Sequence, residues 1–454
     1  MGNPHVLVMP YPAQGHIIPL LELSQCLVQH GFKITFVNTE YNHNQIMNGN
    51  AMKDKIGNQI HLVSIPDGLE TLEDRKKPGN LSEAVLKVLP GKLEELIEQI
   101  NGSNGEEITC ILADQSVGWA LEIAQKKGIR RAAFCPAAAA LLVLGFSIPK
   151  LIEDGIITDD GTPMKKQIIH LSPAMPVMST ENLVWNCFGN SAMKKNIFEL
   201  LVRNNKSVKA TEWLLCNSTY ALEPAAFTLA PNILPIGPLL ASNRLGESVG
   251  NFWPEDSTCL KWLDQQPPSS VIYVAFGSFT IFAPAQFQEL ALGLELCDRP
   301  FLWVVRPDIR DGTSNAYPKE FQDRVAARGR VVGWAAQQKI LSHPSVACFI
   351  SHCGWNSAME GVSNGIPFLC WPYFADQFLN QSYICDVWKV GLRLERDESG
   401  IISRGEIESK VEQLLGNEML KARALDLKNI VKTSVKEGGG SNNNLKNFVE
   451  WMKA

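Results

Sequence analysis

Short runs of apolar and β-branched residues alternate with longer amphipathic stretches, and the pattern occurs twice along the chain. In the first half, residues 6–9, 33–37, 61–65, 108–113, 131–135 and 213–216 read as strands bounded by Gly, Pro and polar residues. Helical periodicity over 17–29, 81–100 and 117–127 separates them. Residues 137–198 are apolar with scattered prolines and carry no assignable period. The second half repeats the scheme, with strands at 271–276, 301–305, 331–333, 347–351 and 367–371 and helices at 285–296, 337–341, 356–363, 377–387 and 404–415. Alternating βα units build parallel sheets covered by helices on both faces. The expected fold is therefore α/β, with two Rossmann-like doubly wound domains facing across a cleft. In such sheets ligands sit at the carboxyl ends of the strands.

A chain of 454 residues suits two such domains. Residues 235–253 lose periodicity and collect Pro235, Gly237, Pro238, Gly246 and Gly250, as a linker would. The expected division is 1–240, a linker at 241–253, a second domain at 254–437, and a tail at 438–454. The amphipathic end of that tail, 445–453, is expected to pack back on the first domain.

Composition excludes several classes. Charged residues are 20% of the chain and the net charge is −5, which gives no basic face for nucleic acid. The 11 cysteines form no C-x-x-C pair, and several lie inside apolar runs, as free thiols of a reducing compartment do. No apolar stretch reaches membrane-spanning length and no leader pattern is present, so a cytoplasmic protein without an integral membrane segment is expected. The glycine fingerprint of dinucleotide folds and the P-loop are both absent. So is Asp-x-Asp, the close-set carboxylate pair that would hold a metal on a diphosphate. A diphosphate, if bound, would have to be held by protein donors and helix dipoles, with no metal.

The densest chemistry lies between Trp334 and Gln377. A strand runs into His352-Cys353-Gly354, and a helix begins near Asn356–Ser357. A strand–Gly–helix turn presents backbone N–H groups and a positive dipole end to an anion. His352, Asn356 and Ser357 add side-chain donors. Glu360, one turn on, can accept from ribose hydroxyls. Trp334 ends a strand and can stack on a base. Asp376 and Gln377 open a helix and can bond sugar hydroxyls. The plainer alternatives are a capped helix with a core histidine, a core tryptophan and an ordinary N-cap. In the first half, Pro12-Ala13-Gln14-Gly15-His16 follows the first strand, and Asp114 ends another strand of the same sheet. An imidazole there can take a proton from a hydroxyl, and a carboxylate on its other nitrogen would hold it in place. The alternative is two capping residues.

Together the opening Trp334, the His352-to-Ser357 core His-Cys-Gly-Trp-Asn-Ser, Glu360 and the closing Asp376-Gln377 resemble the secondary-product motif of plant family-1 UDP-dependent glycosyltransferases. The surrounding chain is similar to that family over nearly its full length. The resemblance implies a GT-B fold, with an acceptor-binding first domain and a UDP-sugar-binding second domain. It implies inversion at the anomeric carbon and a UDP-sugar as co-substrate, with no other cofactor. Carried over by position, Trp334 stacks on uracil and Gln337 contacts the base. Ser278, His352, Gly354, Asn356 and Ser357 contact the diphosphate, and Trp355 walls the donor pocket. Glu360 binds ribose, and Asp376 and Gln377 bind the sugar, with the closing Gln favouring glucose. The Pro-x-x-Gly-His segment, with Gly15 beside His16, and Asp114 match the family's catalytic dyad. Two departures are Ala336, where many members have Pro, and the run Pro136-Ala137-Ala138-Ala139-Ala140, where many carry a hydroxyl.

Leu141, Phe146, Met175, Trp185, Phe188 and Phe374 are candidate walls for a small lipophilic acceptor, a phenolic or terpenoid. A monomer is expected. The competing readings are a C- or ester-forming glucosyltransferase, a non-catalytic UDP-sugar or lipophile binder, and an oxidoreductase of the same layered fold.

Overall fold

The computed structural model describes residues 4–48, 60–71, 74–75, 79–102, 107–187, 189–239, 255–306 and 317–454. The first set of strands is β1 (His5–Met9), β2 (Lys33–Thr39), β3 (Ile60–Ile65), β4 (Cys110–Asp114) and β5 (Arg130–Cys135). A small antiparallel pair, β6 (Ile168–Ile169) and β7 (Met178–Ser179), is followed by β8 (Trp213–Cys216) and β9 (Ile233–Pro235). Among the described residues they form a sheet of order β3-β2-β1-β4-β5-β8-β9, every neighbour parallel. The second set is β10 (Val271–Ala275), β11 (Phe301–Val304), β12 (Gly329–Val332), β13 (Val346–Ser351), β14 (Phe368–Cys370) and β15 (Gly391–Arg393). Its order is β12-β11-β10-β13-β14-β15, again all parallel. Central strands such as β1, β4, β10 and β13 are buried along their whole length, because helices cover both faces.

Each sheet has one place where the order reverses, between β1 and β4 and between β10 and β13. Crossovers leaving the two strands at such a point go to opposite sides, and a crevice opens at their carboxyl ends.

By packing, the chain forms two compact units. One is Met1–Phe252 with Phe374–Asp376 and Lys432–Ala454; the other is Trp253–Tyr373 with Gln377–Val431. The linker expected at 241–253 lies outside the described residues. The start of the aperiodic stretch is no spacer. Pro235 ends β9, the Ile236 amide donates to the Cys216 carbonyl at 3.0 Å, and the Leu239 amide donates to Asn217 Oδ1 at 2.8 Å.

Several boundaries differ from expectation for local reasons. The first helix runs Gln14–Gln29 and places His16 in its first turn, because the Ala13 carbonyl already accepts from the His16 and Ile17 amides. The stretch at 81–100 is two helices, Asn80–Lys87 and Leu89–Asn101, the second with Pro90 in its first turn. The unassigned region contains the helix Ala139–Glu153, apolar on nearly all sides. It is sandwiched, not amphipathic. A Cβ at Gly145 would stand 2.6 Å from the Asn205 amide, so the neighbouring helix Ser191–Lys209 lies close against it.

The last helix, Gly440–Lys453, packs on β9, an edge of the first sheet. Leu445, Phe448, Val449 and Met452 are its buried stripe, and Phe448 meets Trp213 with ring centroids 5.5 Å apart. Asn444 donates to the Pro235 carbonyl and Arg130 to that of Trp451. We expect Phe448→Ala to destabilise the first unit by about 3–5 kcal/mol, the usual cost of emptying a buried aromatic site. A lowered denaturant midpoint, followed by tryptophan fluorescence, checks this.

Candidate active site

In the first unit, His16 and Asp114 meet at the reversal between β1 and β4. His16 Nδ1 lies 2.8 Å from Asp114 Oδ2. The second oxygen, Oδ1, accepts from the Ser116 amide at 2.8 Å, so the carboxylate is also a helix cap. Asp114 is 0% exposed while the His16 side chain is 29% exposed. Fixed at both oxygens, Asp114 holds one nitrogen of the ring as donor and leaves Nε2 as acceptor. Burial pulls the His16 pKa down, but the charge and hydrogen bond of Asp114, with a smaller contribution from Asp376, outweigh it and raise the pKa above its ordinary value. The Tyr11 ring packs on the imidazole at 5.1 Å. Gly15 sits beside it in the same helical turn.

In the second unit, the reversal between β10 and β13 carries the corresponding corner. Gly277 and Gly354 clasp the His352 ring: a Cβ on either would stand 2.5 Å from His352 Nε2. Gly277 has φ +66°, which its lack of a side chain allows. Cys353 takes a left-handed φ of 65° without that freedom. It is held there by its amide on Ser351 Oγ at 3.1 Å and by Asn380 Nδ2 on its carbonyl at 2.9 Å. Gly354 then caps the helix Trp355–Asn364 without a side-chain acceptor, and the positive end of the helix dipole opens at this corner beside Asn356 and Ser357. Burial and then the nearby Arg306 charge push the His352 pKa down to about 4, so the ring is a neutral donor at physiological pH.

One turn on, Gln337 Nε2 donates to Ser357 Oγ at 2.8 Å and to Glu360 Oε2 at 2.6 Å, while its Oε1 accepts from Tyr273 at 3.1 Å. Gln338 reaches the other Glu360 oxygen at 3.4 Å. Withdrawal from water raises the Glu360 pKa to about 7, against the opposing effect of these amides. Trp334, half-buried, lies between β12 and the helix Gln337–Leu341. Ser278 follows Gly277 in the turn after β10.

The structure thus brings Gln337, Ser357 and Glu360 into one network, and sets Ser278 beside the Gly277–His352–Gly354 clasp. Other residues are differently engaged. Gln337 has both amide atoms engaged in that network. Trp355 is buried against Trp388, centroids 6.0 Å apart. Gln377 Oε1 accepts from the Tyr373 amide at 2.7 Å and braces its own loop. Asp376 and Phe374 pack with the first unit. Among the candidate acceptor walls, Trp185 belongs to the core: its indole donates to the Gly161 carbonyl at 2.8 Å and its ring meets Phe198. Phe146 carries the Lys209 ammonium 4.6 Å from its ring centre, at the end of the Ser191–Lys209 helix. Met175 is buried and Leu141 half-buried. Phe188 lies outside the described residues.

Three residues escaped the sequence reading. Glu223, 1% exposed, accepts from the Ala139 and Ala140 amides and from Ser218 Oγ, so it fills the helix terminus at the alanine run. Asn380 fixes the Cys353 carbonyl, as above. Arg306, buried beyond β11, donates to the carbonyls of Gly277 and Thr280. A charged residue directly after an apolar strand was the available signal for Arg306; Glu223 and Asn380 give none. Among the described residues, no group of three or more His, Cys, Asp or Glu side chains is placed to hold a metal. No helix among them is long and apolar enough to cross a membrane.

The profile of the family described as "UDP-glucoronosyl and UDP-glucosyl transferase" matches residues 174–436. UDP-glycosyltransferase 83A1 of Arabidopsis thaliana is 53% identical over 100% of this chain and 98% of its own length. The 7-deoxyloganetin glucosyltransferase of Catharanthus roseus is 32% identical over 100% and 97%. The crystal structure of Os79 from O. sativa in complex with UDP superposes with a TM-score of 0.83 at 26% identity, covering 98% of this chain and 100% of that one. With the GT-B pair of parallel sheets and these likenesses along its whole length, the chain belongs to the UDP-glucoronosyl and UDP-glucosyl transferase family.

Proposed function

We propose that this UDP-glycosyltransferase moves glucose from UDP-glucose to a hydroxyl of a small lipophilic acceptor, a phenolic or terpenoid, with inversion and without a metal ion, as a cytoplasmic monomer. The observation that carries the chemistry is the His16–Asp114 pair, whose carboxylate is fixed at both oxygens. His16 Nε2 takes the acceptor's proton as the oxygen attacks the anomeric carbon. The bond from that carbon to the diphosphate breaks, and its electron pair leaves on UDP. Asp114 stabilises the imidazolium formed. A single displacement of this kind inverts the carbon and needs no second carboxylate as nucleophile. The Trp355–Asn364 helix terminus and neutral His352 suit the departing diphosphate, and Glu360 with its paired glutamines suits ribose hydroxyls. Glucose is supported by the name of the glucosyltransferase relative.

His16→Ala should remove nearly all transfer while UDP still binds by calorimetry; normal turnover would defeat the dyad. In the unmutated enzyme, kcat/KM should rise with pH through an acidic limb above 6.5, because Asp114 raises the pKa of the base. In Asp114→Asn the surviving activity should show that limb displaced to lower pH, since burial is then opposed only by the smaller effect of Asp376. A limb at unchanged pH would argue against the pair. Glu360 gives a separate test. Its folded pKa of about 7 stands above the ordinary 4.5, so the folded state holds a proton that the unfolded chain has released. Stability therefore falls as pH climbs through that window. Glu360→Gln should be the more stable protein at pH 8, by on the order of 1–2 kcal/mol after allowing for its partial exposure, yet bind UDP more weakly. Thermal melts at pH 5 and 8 separate the two effects.

A further inference from the structure

Arg306 is 1% exposed, an unusual place for a guanidinium. It stands just past β11, and its two terminal nitrogens reach the neighbouring loop after β10. Nη1 donates to the Gly277 carbonyl, and Nη2 to the Thr280 carbonyl at 2.9 Å. A trans peptide points its C=O and the following N–H in opposite directions. With the Gly277 oxygen turned to Arg306, the Ser278 N–H is turned away from it. The same holds at Thr280 and the Ile281 N–H. The planar fork fixes both peptides at once, which a lysine's single point charge cannot do. The loop it fixes also carries Gly277, which like Gly354 lies so near the His352 ring that an added Cβ would stand 2.5 Å from Nε2.

We propose that Arg306 is a positioning residue for the leaving group: it turns the Ser278 amide to a phosphate oxygen of the departing nucleoside diphosphate and sets a buried positive charge behind that amide. The inference rests on the reading of the Gly277–Ser357 corner as the diphosphate cradle. Arg306 need not touch the nucleotide. The fork holds the loop in advance of binding, so no reorganisation is needed as negative charge builds on the leaving oxygen. The charge is felt in the corner already, since it helps to hold the His352 pKa down.

The test compares UDP with uridine, which lacks the phosphates, by calorimetry on the full chain, together with steady-state kinetics. Arg306→Gln should weaken UDP at least tenfold, leave uridine affinity unchanged, and lower kcat by about 10²-fold, the scale of losing one preorganised donor. Arg306→Lys keeps the charge and loses the fork. It should recover part of the UDP affinity and less of kcat. If Arg306→Gln does not fold, Arg306→Lys carries the test alone, with a loss of about tenfold for UDP and none for uridine. Equal losses for UDP and uridine, or a lysine variant equal to the unmutated enzyme, would overturn the proposal. An unmutated chain that binds neither ligand would instead sink the cradle reading beneath it.

Discussion

The chemistry of this chain hangs on strand order. In each sheet two adjacent parallel strands send their chains off to opposite sides, β1 with β4 and β10 with β13. Only there do two carboxyl ends lie side by side with no crossover lying over them. Each unit uses that place. The register pairs Met9 with Ala113 in one and Ala275 with Ser351 in the other. The residues that follow in sequence are those that carry the site: His16 and Asp114, then Gly277, Ser278 and His352. Neither pair is close in sequence; parallel pairing alone brings them together.

The two imidazoles at these places are driven in opposite directions by their surroundings. Both lose water, which by itself favours the neutral ring. His16 is given a carboxylate in hydrogen-bond contact, and that outweighs the loss. His352 is given two glycine backbones and a guanidinium at a distance, and stays neutral. The first ring is suited to receive a proton, the second to donate a hydrogen bond without moving one. The second-unit corner reaches this state through backbone shape. Left-handed Cys353 and the two glycines hold the ring, and Asn380 and Arg306 secure the carbonyls around it.

Much of this was legible in the residues. Strand cores came from β-branched runs, because burial on both faces leaves an apolar signature independent of partner. Ser357 and Glu360 were legible because they share one end of one helix, a turn apart, and His352 because it stands in the strand–helix turn just before it. Side chains whose role is decided across the sheet were not. Glu223 lies over eighty positions from the helix it caps. The place of the Gln337 amide between Ser357 and Glu360 could not be read from its neighbours in sequence. Trp185 and Phe146 have partners, Gly161 and Lys209, that lie far off in sequence and gave no sign there. The helix Ala139–Glu153 hid because a helix packed on both sides has no polar face to betray its period.

The seating of residues 440–453 on β9 has a consequence for how the chain is made. The ribosome delivers the whole second unit before that helix. Until then the outer strand of the first sheet presents unpaired backbone groups and the uncovered faces of Trp213 and its neighbours. The N-terminal lobe is thus born unfinished, and for the time it takes to translate some two hundred further residues it offers a β-edge to any passing strand.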